Sequence, residues 1–339
     1  MKGLNVSRIL KWSPAWIAAL LVACGGQVSI GAGGAAVGAG ANMGDSYKKE
    51  IEEWHAGRIK RLTADDGWLT LVGLFPLPNG AHTFGSAADN ELVFPAGSPA
   101  HGGTLVVQDT LVTLNPAPGI MGEMQVSTRT PAPGSQAGGV PVGPTPLASD
   151  KNDAGPSKIQ MGSIQFYVIA RSRGLYLRVK DANSPVHKNF KSIDRFTVSK
   201  KWCFDAVFER YNPPHLIKIP NVLGYEDNVP CPGALVFEKD GKTYRLEVMA
   251  QEGDELEIVF GDKSSGQDTY GGGREVYVAM PGPDNKTVLD FNKAYNPPCV
   301  FTTFATCPLP HRENVLPFRV EAGEKAYGDP VHDTGTTGQ

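Results

Sequence analysis

The residues best equipped for chemistry lie near the C-terminus, where Cys299, Cys307 and His311 follow one another at short spacing. A disulfide between the thiols would close a short loop and restrain the unfolded chain by about 2–3 kcal/mol. A zinc site would call for a tighter pair such as C-x2-C and a fourth ligand, neither of which is evident, so no metal is expected. Free thiols, packed as small hydrophobes, are the third option. Cys203 and Cys231 form a second candidate pair, supported only by even parity and an oxidising compartment.

Charged residues give a second set. Arg178 with Asp181, and Asp262 with Arg274, sit in strand-like stretches. There they can hold a carboxylate, phosphate or sugar through paired hydrogen bonds, or else lock a strand end as internal salt bridges. Asp290 and Asn292 flank Phe291 at a strand end, where such side chains commonly satisfy turn amides. Glu321 and Glu324 can act as paired carboxylates only if the fold brings them together. Tyr295-Asn296-Pro297-Pro298 is stiff enough to wall a pocket. There is no nucleophile elbow, H-E-x-x-H, Walker loop or dinucleotide fingerprint. Gly271-Gly272-Gly273 precedes a strand rather than a helix and reads as a turn. No cofactor is expected.

The elements that must position these residues can be read in outline. Lys2, Arg8 and Lys11 precede an apolar run, Ala15 to Ala23, too short to span a bilayer as a stable helix. It ends in Leu21-Val22-Ala23-Cys24, the pattern of a lipoprotein signal whose Cys24 thiol takes up lipid. Residues 1–23 then form the signal. Acyl chains at Cys24 would anchor the protein to the cell envelope, at the outer membrane if the host has one. Residues 24–44 are mostly Gly, Ala and other small side chains and read as a tether. Loss of the signal removes three positive charges from a formal net charge of −3, leaving −6. An acidic chain without a basic run argues against nucleic-acid binding.

A helix is expected over 46–64, where Tyr47, Ile51, Trp54, Ile59 and Leu62 make one apolar stripe. Strand-like runs follow from Trp68 onward, broken by a Pro/Gly/Ser-rich insertion over 131–158 expected to be mobile. Residues 172–174 mark a hairpin, and Asp240-Gly241 another. The expected fold is mainly β: an N-terminal helix followed by two packed antiparallel sandwich- or barrel-like units, about 67–200 and 201–325. Residues 326–339 read as a disordered tail.

Taken in order, these residues resemble a bacterial and archaeal family, domain of unknown function 1684, over about 47–325. The marks are Trp54 with Arg58, Asp66-Gly67-Trp68-Leu69, and Leu177-Arg178-Val179-Lys180-Asp181. Further on come Phe260-x-Asp262, Thr269-Tyr270 and Arg274. The most specific run is Asp290-Phe291-Asn292, Tyr295-Asn296-Pro297-Pro298-Cys299, Cys307-Pro308-Leu309-Pro310, Asn314 and Ala322-Gly323-Glu324-Lys325. His311 departs from it, since the resemblance implies proline there. The family implies no activity. Within the resembling segments the candidate ligand-binding set is Arg178, Asp181, Asp262, Tyr270, Arg274, Asp290, Asn292, Tyr295, Asn296, Asn314 and Glu324. The reading is a lipid-anchored envelope protein that binds a small ligand or a partner protein. A hydrolase using Asp262, Asp290 or Glu324 with Arg178 or Arg274, and a purely structural envelope component, are the alternatives.

Overall fold

The computed structural model describes residues 43–120, 124–127 and 143–328. The signal, Cys24, nearly all of the tether, residues 131–142 of the insertion and the tail from 329 lie outside the described residues. The chain is mainly β, with a helix at the N-terminal end. That helix, α1 (Met43–Leu62), buries Tyr47, Ile51 and Leu62 along one face and keeps its lysines and most of its acids outward. Trp68–Thr70, expected as the start of a strand, forms a 3-10 turn instead, with Thr70 Oγ1 donating to Gly67 O.

The first β region runs through β1 (Leu71–Pro76), β2 (Gly80–Gly85), β3 (Leu92–Val93), β4 (Gly103–Gln108), β5 (Leu111–Pro116), β6 (Gln125–Ser127), β7 (Thr145–Leu147), β8 (Lys158–Met161), β9 (Ile164–Arg171) and β10 (Gly174–Asp181). These make two five-stranded sheets, ordered β1-β10-β9-β8-β6 and β3-β2-β4-β5-β7. Phe84, Phe94 and Leu105 from one sheet meet Phe166, Leu177 and Val179 from the other in a closed core. The insertion is only partly irregular. Its described part supplies β7, which pairs with β5.

A five-residue helix, α2 (Pro185–Asn189), capped by Ser184, leads to the second region. This holds β11 (Cys203–Pro220), β12 (Glu226–Lys239), β13 (Lys242–Glu247), β14 (Ala250–Glu252), β15 (Glu255–Phe260), β16 (Arg274–Ala279) and β17 (Lys286–Asp290). A four-stranded sheet, β13-β12-β11-β17, faces a three-stranded one, β14-β15-β16. Phe208, Leu235 and Phe237 of the first pack on Ile258, Phe260 and Val276 of the second. The expected turn joins β12 to β13, with Asp240 and Gly241 both at positive φ, the pairing that a two-residue hairpin turn requires.

Strand alternation decides what faces outward. Leu177 and Val179 point into the first core, so Arg178 and Lys180 lie on the opposite face of β10. Ile258, Val276 and Val278 point into the second core, so Glu257, Glu275 and Tyr277 lie on the outer face of β15 and β16. The segment 298–308 ties the regions together: Leu71 of β1 packs with Ala305 and Cys307, and Thr302 Oγ1 donates to Leu71 O.

Candidate ligand-binding cleft

The outer faces of β10 and of β15–β16, together with α1 and the segment 298–308, enclose a cleft of about 1350 Å³. It is larger than most small-molecule sites and mixes aromatic with charged walls.

One wall is aromatic. Tyr295 stacks near Tyr277 with ring centroids 6.2 Å apart, and Trp54 of α1 lies 6.2 Å from the Tyr295 ring. The Arg58 guanidinium sits 4.6 Å over Tyr295 and donates from Nη2 to Asn296 O at 3.0 Å. Burial, and next the nearby Glu275 carboxylate, push the Tyr295 hydroxyl well above its ordinary range, so it stays protonated. Glu275 exchanges backbone hydrogen bonds with Tyr295 at 2.9 Å each way, which fixes this wall to β16.

Arg178 also lines the cleft, with Lys180 against the same Trp68 ring. Arg178 is 5% exposed and Lys180 7%. Arg178 lies 4.9 Å over the Trp68 ring and 5.9 Å from that of Tyr167, and Lys180 lies over the same two rings. Lys180 donates to Asp66 O. Burial, with further repulsion from Arg178 and Lys158, pulls the Lys180 ammonium down to about 8.

The structure sorts the sequence candidates sharply. Arg178, Asp290 and Tyr295 line the cleft. Asp262 and Arg274 instead form a buried salt bridge at 2.9 Å, and Arg274 also donates to the carbonyls of Val320, Ala322 and Glu324. They clamp the C-terminal segment onto β16 and are not poised for a ligand. Asp290 accepts from Tyr47 Oη at 2.7 Å and caps Asn292 N at 2.9 Å, while Asn292 donates to Ser199 O. Asn314 cross-links Glu247 and Val259. Asp181 caps the turn at Asn183. Glu324 accepts from Asn296 N at 2.7 Å, faces Arg58 Nε at 3.6 Å, and is pushed up by burial. Asn296 Nδ2 donates to Lys325 O. Glu321 is exposed and pairs with Arg319 rather than with Glu324.

Neither candidate disulfide pair forms, and the free-thiol option holds for Cys299 and Cys307. Cys231, Cys299 and Cys307 are free thiols. Cys203 is not among the free thiols and is not paired with Cys231. Cys231 is buried and donates to Gly233 O and Glu247 Oε2, and burial pushes its thiol up to about 12. Cys299 and Cys307 are in contact: Cys299 N donates to Cys307 Sγ at 3.2 Å. A hydrogen bond from the Cys307 thiol, helped by Tyr270, holds the Cys299 thiol below its usual value, while the same bond and burial push Cys307 up. Tyr270 thus serves the thiols. No His/Cys/Asp/Glu cluster suited to a metal occurs among the described residues.

Sequence reasoning did not assign Trp54, Arg58, Trp68, Glu275 and Tyr277 to the site. Trp54 belongs to the apolar stripe of the expected helix and Trp68 to an expected strand start, and with Arg58 they are marks of the resemblance. A signal was present in the strict alternation of β16, where Glu275 and Tyr277 occupy the face that a one-sided sheet leaves outward.

Comparison with known proteins gives a partial match to a family model that names no activity. The model for a protein of unknown function, DUF1684, matches residues 188–325. The matched part therefore begins at α2, short of the wider span that the sequence resemblance suggested. No curated protein matches the chain. An uncharacterized protein of Haloarcula marismortui, solved by NMR in solution, is similar at 26% identity over 42% of this chain and 80% of that one. Its TM-score is 0.35, so that likeness carries no structural argument here.

Proposed function

We propose that the protein is a binding module that presents this cleft to a small ligand, working at the cell envelope on a lipid anchor at Cys24. The observation that carries the reading is convergence. Arg58 and Trp54 of α1, Arg178 of β10, Tyr277 of β16 and Tyr295 turn toward one concavity of about 1350 Å³ although they are distant in the chain. Buried charges and rings that line one space are the usual make-up of a ligand site. A purely structural component needs no such cleft. The hydrolase alternative has less support, because Asp262, Asp290 and Glu324 are each engaged in internal hydrogen bonds. The anchor rests on the sequence Leu21-Val22-Ala23-Cys24.

Mass spectrometry of the full-length product from its native membrane tests both parts. The expected spectrum shows acyl chains on Cys24 and a non-covalent adduct that leaves on unfolding. Thr287→Trp, which fills the cleft from its rim, should abolish the adduct. A bare polypeptide mass, joined to a lack of thermal stabilisation by any member of a metabolite panel, would overturn the binding reading. A Cys24 peptide recovered in disulfide linkage to Cys203 would overturn the anchor, since a thioether sulfur cannot form a disulfide.

A further inference from the structure

Arg178 is the anomaly of the cleft. A buried guanidinium is normally matched by a carboxylate or by several carbonyls, because desolvation of a cation is costly. Arg274 shows the rule met within the same chain, with Asp262 and three backbone carbonyls around it. Arg178 is equally withdrawn from solvent at 5% exposure, yet its Nε has no acceptor, and among the described residues no acidic side chain pairs with it. What surrounds it is ring faces and another cation. Trp68 and Tyr167 stack against it, and Lys180 lies two residues along on the same face of β10. Its nearest strand neighbours are Leu74 on β1 and Tyr167 on β9, neither of them charged.

Such an arrangement is preorganised. The sheet fixes the backbone, the rings fix the plane of the guanidinium, and the hydrogen-bonding edge is left for something that enters the cleft. A cationic group is disfavoured beside Arg178 and Lys180, whereas the carboxylates of the cleft, among them Glu257 and Glu275, leave room for one elsewhere. A neutral ligand would leave the Arg178 guanidinium without an acceptor.

Building on the cleft as a ligand site, we propose that Arg178, supported by Lys180 and stacked on Trp68, is an oxyanion subsite that receives a carboxylate or phosphate group of the ligand. Asp66, next to Trp68, does not compete for Arg178, since its carboxylate is held by Lys158 at 3.2 Å. Arg171, at the same end, is held by Asp150 and by Thr306.

The test uses the full chain in nonionic detergent, titrated with sodium phosphate and, separately, sodium acetate at constant ionic strength. Binding is read by calorimetry and by thermal shift. The wild type is expected to respond saturably to at least one anion in the millimolar range, and the tighter of the two identifies the group. Arg178→Gln should weaken that response by at least about tenfold, and Lys180→Met by about threefold. Arg178→Lys keeps the charge but loses the planar fork and should fall between wild type and the Gln variant. It carries the test if Arg178→Gln does not fold. A wild type indifferent to both anions, or variants at Arg178 with unchanged affinity, would overturn the subsite. Because the cleft itself is judged by retained ligand and by Thr287→Trp, the subsite can fail while the cleft stands.

Discussion

Two arginines of nearly equal burial show how much context decides at the level of single residues. Arg274 and Arg178 both sit on strands, and both were plausible ligand holders from the sequence. Arg274 is consumed by Asp262 and the carbonyls of 320–324. Arg178 keeps its hydrogen-bonding edge. The sequence pairs Arg274 with Asp262, 12 positions away, but does not show the carbonyls that complete its shell, which lie 46 to 50 positions away. Lys180 gives this end of the cleft a measurable signature. Its folded pKa of about 8 is below the 10.5 of an exposed lysine. The folded state therefore holds fewer protons than the unfolded one between those values, and stability rises with pH across that window. Below pH 8 the buried charge costs roughly 3 kcal/mol. Lys180→Met should accordingly be more stable than wild type at pH 7, with the gap closing as pH rises from 8 toward 10. Urea melts at several pH values check this. Groups such as Cys231, pushed up to about 12, destabilise both proteins alike above pH 9 and cancel in the difference. A gap that does not change with pH would refute the account.

Among the elements, the segment 298–308 carries most of the surprise. Helix α1, the hairpins at 172–174 and 240–241 and the mainly β architecture were legible because each rests on a local rule: a helical stripe, a turn dipeptide, strand alternation. The state of Cys299 and Cys307 was not, because spacing of eight residues suits a disulfide, a ligand pair or packed thiols equally well. The structure selects thiols in contact, with unequal character. Cys299 is half-buried and stabilised as a thiolate by Cys307 and Tyr270, whereas Cys307 is buried and donates. Nucleophilic reactivity follows thiolate character and access. Iodoacetamide applied to the native protein should therefore label Cys299 first and Cys307 only slowly, and Cys231 only on unfolding. Peptide mapping over time reads the order. Equal rates at Cys299 and Cys307, or resistance of both until a reductant is added, would contradict the arrangement. The first would deny the asymmetry and the second would restore the disulfide.

For the molecule as a whole, the decisive fact is that two hydrophobic cores share a concave seam. The first core is centred on Phe84, Phe94 and Phe166, with rings 5.2 to 5.4 Å apart, and the second on Phe237, Phe260 and Phe291. Between them lie smaller apolar patches, Leu69 with Phe301 and Leu71 with Ala305 and Cys307, joined by polar bonds from Thr302 to Leu71 O at 3.1 Å and from Arg171 to Thr306 at 3.3 Å. Apolar burial dominates cooperativity, and these patches are small beside either core. This suggests two cooperative units, which scanning calorimetry can separate. Phe84→Ala should lower one transition and Phe260→Ala the other, each by an amount matching about 3–5 kcal/mol for a buried ring. A single transition lowered by both substitutions would show that the seam is stronger than its contacts indicate. The same reasoning gives ligand binding a mechanical consequence. A molecule that touches Arg178 on one side and Tyr295 on the other adds stabilisation to both units at once, so the two transitions should draw together as it saturates. A ligand held by one wall alone would raise one transition and leave the other in place. The calorimeter therefore reports how the cleft is used even before the ligand's identity is known.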